Sequence, residues 1–388
     1  MALNITQYPA TASLAQSPMA FTVFENTAVV LSSSFQYYAD LYYWTGSANA
    51  KPAVPEYVLT KYPNDSFRGI FDVSRIMNST LTDLAFANTS NVKYYAVDFY
   101  WQYQSGVSFI TGSHVSSSAY KALDGYAIFQ EPINQQITSK SVHWPIMSDG
   151  PVSQSFLDDT NGWMTVFTGT AGASQPTRMV YSGSLGNGSI NVSSSLSSSQ
   201  QTQYFPIGPL CSDFPLNVLT DTFSVQAYNG STPLGSSINF TDVCLQKYPN
   251  VRIKWKNRYG QFDYYNFLLV NRQGFQSTKR TYQPQLGTWQ GTGLSYQNYD
   301  SSNLNYLSDS KQTLSVNSDY IDDDYNNILK QLLVADEIYW VYEQSSTTET
   351  VRPITIRTDS VTFKTGVNDK LVQYQFDFDW GQSYKLII

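Results

Sequence analysis

The chain has 388 residues, with 23 Lys and Arg against 30 Asp and Glu, so its formal charge is −7. This acidic balance disfavours a general nucleic-acid binder, which normally carries a basic field. No apolar run approaches the ~18 residues that a membrane helix needs. Aromatic residues reach 15%, including 30 Tyr, and Tyr suits half-buried strands because its ring packs while its hydroxyl stays wet. We expect a mainly β chain with no direct nucleic-acid recognition and no membrane insertion.

The first part of the chain contains short runs typical of sandwich strands. Residues 35–43 alternate apolar and polar side chains, and a second run at 94–101 is rich in aromatics,. We predict an N-terminal β-sandwich-like domain over residues 1–140. The first nine residues have neither a cationic start nor an apolar core of signal-peptide length, so the sequence does not predict ordinary secretion.

A second β domain is predicted over residues 141–290, and its clearest feature is a hairpin at 251–270. Val251, Ile253 and Trp255 alternate with basic residues, so a strand here has one apolar and one cationic face,. Asn and Gly in segment 257–260 favour a chain reversal. The apolar positions of the returning run change phase, which predicts a β-bulge because one extra residue flips the outward face.

Residues 291–388 differ in character and are predicted to form a small α+β module. Apolar residues recur at helical spacing after an acidic start, which predicts one amphipathic helix at about 319–334,. Strand patterns follow at 338–342, 351–356 and 372–380. The predicted fold is therefore mainly β, with tandem β-sandwich-like domains followed by a helix packed on a sheet.

Candidate catalytic groups are scarce. The two histidines, His114 and His143, lie near no nucleophile motif such as Gly-X-Ser-X-Gly,. Cys211 and Cys244 lack metal-site spacing and are expected to be free thiols, with an optional disulfide as the alternative. We therefore expect no enzyme activity, no catalytic residues, no cofactor and no metal site.

The strongest local charge feature is the cationic face of the hairpin, in a chain that is otherwise acidic. One interpretation is a solvent face that guards against edge-to-edge pairing. The other is a contact between subunits, in which basic residues meet an acidic surface of a neighbour. The candidate subunit interface consists of Arg252, Lys254, Lys256, Arg258, Asp322, Asp323 and Asp324.

Three segments carry a resemblance to a known class of proteins. They read MALNITQYPATASLAQSPMAFTVFEN at the start, VRIKWKNRYGQFDYYNFLLVNRQGF at the hairpin, and NNILKQLLVADEIYWVYEQSSTTETVRPITIRTDSVTFKTGVNDKLVQYQFDFDW near the end. They cover under half of the chain and resemble structural proteins of tailed bacteriophages, especially those of Bacteroidetes and marine hosts. The resemblance implies β domains that assemble into neck, tail or baseplate rings.

The leading hypothesis is a non-enzymatic structural subunit of a phage virion. Its expected partners are copies of itself, in a homo-oligomeric ring, and other virion proteins; it is expected to assemble in the host cytoplasm and reside in the virion. The first alternative is a carbohydrate- or receptor-binding β protein in which surface Trp and Tyr stack on sugars. The second is a β-sandwich glycoside hydrolase, which needs two suitably placed carboxylates.

Overall fold

The computed structural model describes most of the chain, namely residues 3–81, 92–128, 131, 137, 141–169, 172–192, 201–216, 221–243, 247–285, 287–345, 348–363 and 373–382. Strands account for 50% and helices for 8% of the structure. The prediction of a mainly β fold with several sheets and one helix near the C-terminus is confirmed.

The first unit, residues 3–128, contains two sheets that face each other. Its elements are β1 (Asn4–Gln7), β2 (Ala12–Leu14), β3 (Ala20–Phe24), a 3-10 helix (Ala28–Val30), β4 (Gln36–Trp44), β5 (Tyr57–Lys61), β6 (Arg68–Asp72), α1 (Ser74–Leu81), β7 (Val92–Ser105), β8 (Ser108–Thr111), β9 (Val115–Ser116) and β10 (Tyr120–Leu123). One sheet has the order β1-β3-β6 and the other β2-β10-β7-β4-β5, with β8 and β9 also paired to β7. Phe21 and Phe71 from the first sheet meet Phe99 from the second, with ring centroids 5.4 and 5.5 Å apart. These contacts form the core of a sandwich.

The second unit, residues 141–243, also has two sheets. Its elements are β11 (Ser153–Phe156), β12 (Trp163–Phe167), a 3-10 helix (Gly172–Ser174), β13 (Arg178–Gly183), β14 (Gly186–Asn191), β15 (Thr202–Pro206), β16 (Thr222–Asn229) and β17 (Thr232–Asp242). The larger sheet has the order β11-β17-β16-β13-β14, and β12 pairs with β15. Buried residues from both sheets, including Val166, Tyr181 and Val225, form one core between them.

The third unit, residues 251–382, is built on one long sheet. Its elements are β18 (Val251–Lys256), β19 (Phe262–Phe267), β20 (Arg272–Tyr282), β21 (Thr288–Gln290), β22 (Gly293–Ser295), β23 (Leu304–Asn317), a 3-10 helix (Asp323–Tyr325), α2 (Asn326–Val334), β24 (Ile338–Gln344), β25 (Glu349–Ile356) and β26 (Gln375–Trp380). The sheet order is β19-β18-β24-β25-β26-β23-β20. The boundary predicted near residue 290 falls inside this sheet. The hairpin therefore belongs to the C-terminal unit, since β18 pairs with β24.

The predicted helix is present but begins later than expected. A 3-10 turn at Asp323–Tyr325 leads directly into α2, so helical structure spans 323–334 instead of 319–334. Asp322 precedes that turn without a side-chain cap hydrogen bond. Ile328, Leu329 and Leu332 are buried in the core of the third unit. As the amphipathic pattern predicted, the helix packs on the sheet.

The register of the hairpin corrects one detail. Strands β18 and β19 pair without interruption from Val251 opposite Phe267 to Lys256 opposite Phe262, so the predicted bulge is wrong. The apolar phase of β19 changes because both of its faces are covered: Tyr265 and Phe267 lie in the third-unit core, while Asn266, on the opposite face, is also buried. Side chains on a strand buried on both faces need not alternate in polarity.

Candidate functional site

The basic face of β18 is directed into the molecule. Arg252, Lys254 and Arg258 are only 4–5% exposed, and Lys256 is partly buried. The expectation that these side chains face solvent or a neighbouring subunit is therefore corrected for the three buried cations. A buried charge is tolerated when it is paired and hydrogen-bonded. Within the same chain, Lys254 and Arg258 meet that condition with carboxylates, and Arg252 with amide and carbonyl oxygens.

The turn after β18 is shaped by its own asparagine. The Asn257 Oδ1 accepts the N–H groups of Tyr259 (2.9 Å) and Gln261 (3.1 Å), while its Nδ2 donates to the Met147 carbonyl (2.9 Å). An Asx turn of this kind tightens the reversal that the sequence predicted. It also ties the hairpin to the second unit, because Met147 belongs to that unit.

Arg258, at the tip of the hairpin, meets carboxylates from outside its own sheet. Its Nε lies 2.5 Å from the Asp149 Oδ2, and its Nη1 donates to the Glu131 Oε1 at 3.0 Å. Its backbone N–H donates to the Gln331 Oε1 at 3.0 Å, and the Gln331 Nε2 donates to the Asp149 Oδ2 at 2.9 Å. Arg258 thus links the hairpin, α2 and the second unit in one network.

Tyr259 lies at the centre of an apolar cluster between the units. Its side chain is 0% exposed, and the cluster draws Leu14 and Leu123 from the first unit and Trp144 and Phe167 from the second. The Tyr259 hydroxyl donates to the Asp149 Oδ1 at 2.6 Å and accepts from the Arg258 Nη2 at 2.8 Å. One side chain of the third unit therefore contributes to both the apolar and the polar part of the junction.

The remaining cations of the hairpin have partners in all three units. The Lys256 Nζ lies 2.5 Å from the Asp124 Oδ2 of the first unit and 3.1 Å from the Glu337 Oε1 of the third. The Lys254 Nζ lies 2.5 Å from the Glu349 Oε2 on β25. The Arg252 Nη2 donates to the Asn161 carbonyl of the second unit at 2.6 Å. The hairpin thus contacts all three units.

Two glycines allow backbones to approach closely at this junction. The Tyr126 N–H donates to the Arg258 carbonyl at 2.8 Å. A Cβ on Gly125 would lie 2.1 Å from that carbonyl oxygen, and a Cβ on Gly260 would lie 2.8 Å from the Asp124 carbonyl oxygen. Gly125 and Gly260 also have positive φ angles of 120° and 70°, a region that glycine adopts without a Cβ clash.

The electrostatics of the junction reflect competition between burial and pairing. Burial lowers the pKa of Arg258, but Tyr259, Asp149 and Glu131 raise it by more, so its net pKa is raised. The pKa of Lys256 is also raised, because the effect of Asp124 and Glu337 is larger than the opposing effect of burial. For Lys254 burial dominates over Glu349, and its pKa is lowered. Each direction follows from how many anionic partners compensate the loss of hydration.

Asp263 is a buried acid at the same junction. Burial raises the pKa of its carboxyl to about 7, although hydrogen bonds with Ser148 and Asn257 lower it, and Asp149 adds repulsion. A cavity of about 30 Å³ lies beside it, lined in part by Met147 and Tyr264. That volume holds water-sized molecules. The cavity is therefore small and lined mostly by apolar side chains, with Asp263 at its edge.

The acidic half of the predicted interface stands apart from this network. Asp322, Asp323 and Asp324 are exposed at the start of the 3-10 helix, and a role for them in contacts between subunits stays a prediction. The carboxylates that serve the hairpin were not predicted: Asp124, Glu131, Asp149, Glu337 and Glu349. They are separated from their partners by up to 132 residues in the sequence, so no local pattern marks them.

Other candidate groups have structural surroundings. His143 is buried, with its Nδ1 3.1 Å from the Ser236 carbonyl oxygen and its Nε2 2.9 Å from the Gly150 carbonyl oxygen. Cys211 is a buried free thiol, and Cys244 lies outside the described residues. Among the described residues there is no cluster of three or more His, Cys, Asp or Glu suited to hold a metal ion. No helix in that part of the chain is long and apolar enough to cross a membrane.

Comparisons with known proteins add little. No known family matches the chain, and no curated protein matches it. Among solved structures, a chimeric titin Z1Z2 carrying a decorin peptide matches at 13% identity and a TM-score of 0.16, over 63% of this chain and 98% of that one. E. coli alpha-2-macroglobulin matches at 11% identity and a TM-score of 0.21, over 81% of this chain and 21% of that one. A bacterial ice-binding adhesin matches at 8% identity and a TM-score of 0.16, over 82% of this chain and 92% of that one. At such TM-scores these likenesses bear on neither fold nor function.

Proposed function

We propose that the chain is a non-enzymatic structural subunit of a phage virion, in a neck, tail or baseplate ring. Its partners are copies of itself and other virion proteins, and it resides in the virion. The observation that carries the proposal is the junction at the hairpin, where the charged side chains hold three β units of one chain together. The resemblance of the hairpin and the terminal segments to tailed-phage structural proteins supplies the setting.

The junction supports a mechanical role because separating the units costs free energy. Rotating one unit away from the hairpin would break the pairing of Arg258 with Asp149, or that of Lys256 with Asp124. The same rotation would expose to water the apolar cluster around Tyr259, and this loss of apolar burial opposes the separation,. A subunit that transmits load through repeated contacts needs a body that resists such deformation, and this arrangement provides it.

The test is the mass of the native protein. Light scattering coupled to size exclusion, with native mass spectrometry, should give a closed multimer of fixed copy number. A monomer at every accessible concentration would contradict the ring. Cryo-electron microscopy of assembled particles would then place the multimer, and its absence from the particle would contradict the virion assignment.

A carbohydrate-binding function is the second candidate, and one observation favours it. On the outer face of the first unit, Tyr38 stacks on Tyr100 at 5.1 Å and Tyr100 stacks on His114 at 4.7 Å between ring centroids. Asp40 lies directly across from Asp98 beside this row. Half-exposed rings flanked by carboxylates suit stacking on a sugar and hydrogen bonding to its hydroxyls.

Glycan binding can be measured by titration calorimetry against a panel of bacterial surface polysaccharides. If this candidate is correct, Tyr100→Ala abolishes binding and Tyr62→Ala, an exposed tyrosine of the same unit, retains it. Equal affinity in the two variants, or no binding by the unmodified chain, would contradict a sugar site on this face.

A further inference from the structure

A two-stranded ribbon projects from the end of the long sheet. We define the arm as residues 272–285 and 287–312, which contain β20, β21, β22 and the first part of β23. All eleven residues of β20 are exposed. Strand β26 pairs with β23 only at Thr313–Asn317, whereas β20 pairs with β23 back to Leu304. The nine residues from Leu304 to Gln312 thus extend the ribbon roughly 30 Å beyond β26.

The arm exposes apolar and aromatic side chains to water, which is energetically unfavourable for a ribbon without a partner. Phe275 is 57% exposed, Tyr306 61% and Tyr299 84%. Other exposed members are Tyr282, Leu294, Tyr296 and Leu304. An isolated pair of strands is only marginally stable in water, and clustered exposed apolar residues mark interaction sites. The arm is therefore suited to being covered by another surface.

The charge of the arm is opposite to that of the rest of the chain. Arg272, Lys279, Arg280 and Lys311 against Asp300 and Asp309 give the arm a formal charge of +2, so the other residues carry −9 of the total of −7. The occupant that these charges favour is an acidic surface. Such a surface exists on the chain itself.

The acidic patch, as we define it, consists of Asp158, Asp159, Asp221 and Asp242. Phe156 at the end of β11 pairs with Asp242 at the end of β17, and the Asp242 N–H donates to the Asp221 carbonyl at 2.8 Å. Sheet pairing thus gathers the four residues at one end of the second unit. Asp158, Asp159 and Asp221 are exposed. Burial and then repulsion from the other three raise the pKa of Asp158, as expected for carboxylates held close together.

We propose that the outer edge of β20 in one copy lies against the acidic patch of a second copy. Lys279 and Arg280 leave opposite faces of this edge strand,, so both can reach carboxylates across the edge. Such a contact joins two different surfaces, so it is heterologous, and repetition closes a ring where the rotation permits. This inference rests on the proposed self-assembly and names the element that performs it.

The experiment compares the molar mass, by light scattering after size exclusion, of five full-length chains. They are the unmodified chain, Lys279→Glu/Arg280→Glu on the arm, Asp158→Lys/Asp221→Lys on the patch, the chain with all four changes, and the control Lys61→Glu/Arg68→Glu. The control inverts two exposed cations of the first unit and so matches the charge change of the arm variant. Thermal unfolding of each chain checks that it is folded.

We expect the arm variant and the patch variant each to lose at least ~10-fold in association, since two charge pairs become repulsive. The chain with all four changes should regain the multimer because its charges are exchanged, and the control should keep it. The mass of the unmodified chain should also fall as salt is raised.

The outcomes separate the two proposals. A multimer that persists in the arm variant overturns the arm contact and leaves the ring intact. A monomeric unmodified chain overturns both. If that monomer binds single-stranded DNA and the Lys279→Glu/Arg280→Glu variant does not, the occupant of the arm is a polyanion and the second-copy proposal is wrong. Loss of assembly without recovery in the chain with all four changes overturns the pairing with this patch.

Discussion

The hairpin β18–β19 and the arm are both antiparallel strand pairs that carry lysine and arginine, yet their surroundings are opposite. The hairpin is covered on both faces, and its buried cations have partners within the chain, which are carboxylates for Lys254 and Arg258 and the Asn161 carbonyl for Arg252. The arm is open on both faces along the whole of β20. The difference lies in the residues between the charges: Val251, Ile253 and Trp255 in the hairpin, against Gln, Ser and Thr in β20. Apolar alternation, not charge, decides which ribbon is buried.

The largest expected difference in the free energy of unfolding is between substitution of a buried tyrosine and substitution of an exposed one. Tyr259→Ala removes a ring at the centre of the junction cluster and should lower the free energy of unfolding by about 3–5 kcal/mol. Tyr299→Ala removes a ring that is 84% exposed on the arm and should change that free energy by less than ~0.5 kcal/mol. Urea denaturation measures both, and equal losses would contradict the contrast between the two regions.

The next effect concerns pH. Since burial raises the pKa of Asp263 to about 7, this carboxyl binds a proton in the folded chain over a range where the unfolded chain has released it. Its contribution to stability is therefore full below about pH 4 and is lost as pH rises through about 7, by up to ~4 kcal/mol.

Asp263→Asn mimics the protonated form and should lack this loss. The free energy of unfolding of the unmodified chain, measured against that of the variant, should fall between pH 4 and pH 7 and then level off. Parallel pH profiles for the two chains would contradict a raised pKa at Asp263.

A smaller effect tests the close approach of the backbones. Gly260→Ala should cost ~2 kcal/mol, because φ is 70° and the new Cβ would lie 2.8 Å from the Asp124 carbonyl oxygen,. Gly230→Ala is the matched control, since φ is 57° and nothing lies within 4 Å of its Cβ; it should cost only ~1 kcal/mol. Equal losses of unfolding free energy in the two variants would show that the backbone at the junction shifts to accommodate the new Cβ.

The smallest effect is expected in the arm. Lys279→Ser/Arg280→Ser should shift the free energy of unfolding by less than ~0.5 kcal/mol, because both side chains are exposed. The measurement belongs at low protein concentration, where mass action contributes little to apparent stability. A loss of several kcal/mol would mean that the arm packs on its own chain.

The contrast between the hairpin and the arm also explains which features of the fold could be predicted from the sequence. Periodicity located the hairpin and α2 because side chains on a strand or helix repeat with the geometry of that element. It could not reveal that Arg252 and Lys254 are buried, since their cover comes from Asn161 and Glu349, about 90 residues away in either direction. The missed start of α2 has a local cause: residues 319–322 favour a helix by charge but form no cap hydrogen bond at Asp322.

The error in the domain boundary predicted at 290 has a similar cause, namely pairing between distant strands. Residues 287–303 contain the short strands β21 and β22, yet they lie within the arm, between β20 and β23 of a single sheet. Pairing between distant strands is not encoded in any local window. For the same reason, the acidic patch, assembled from β11, β16 and β17, was not predicted.

The central claim is that the hairpin binds carboxylates of other units in its own chain. A double-mutant cycle of Arg258→Ala and Asp149→Ala, followed by urea denaturation, tests it most directly. We predict that each single change is strongly destabilising, and that the two are non-additive with a coupling free energy of ~1–3 kcal/mol. Additive losses, with a coupling below ~0.5 kcal/mol, would contradict the claim.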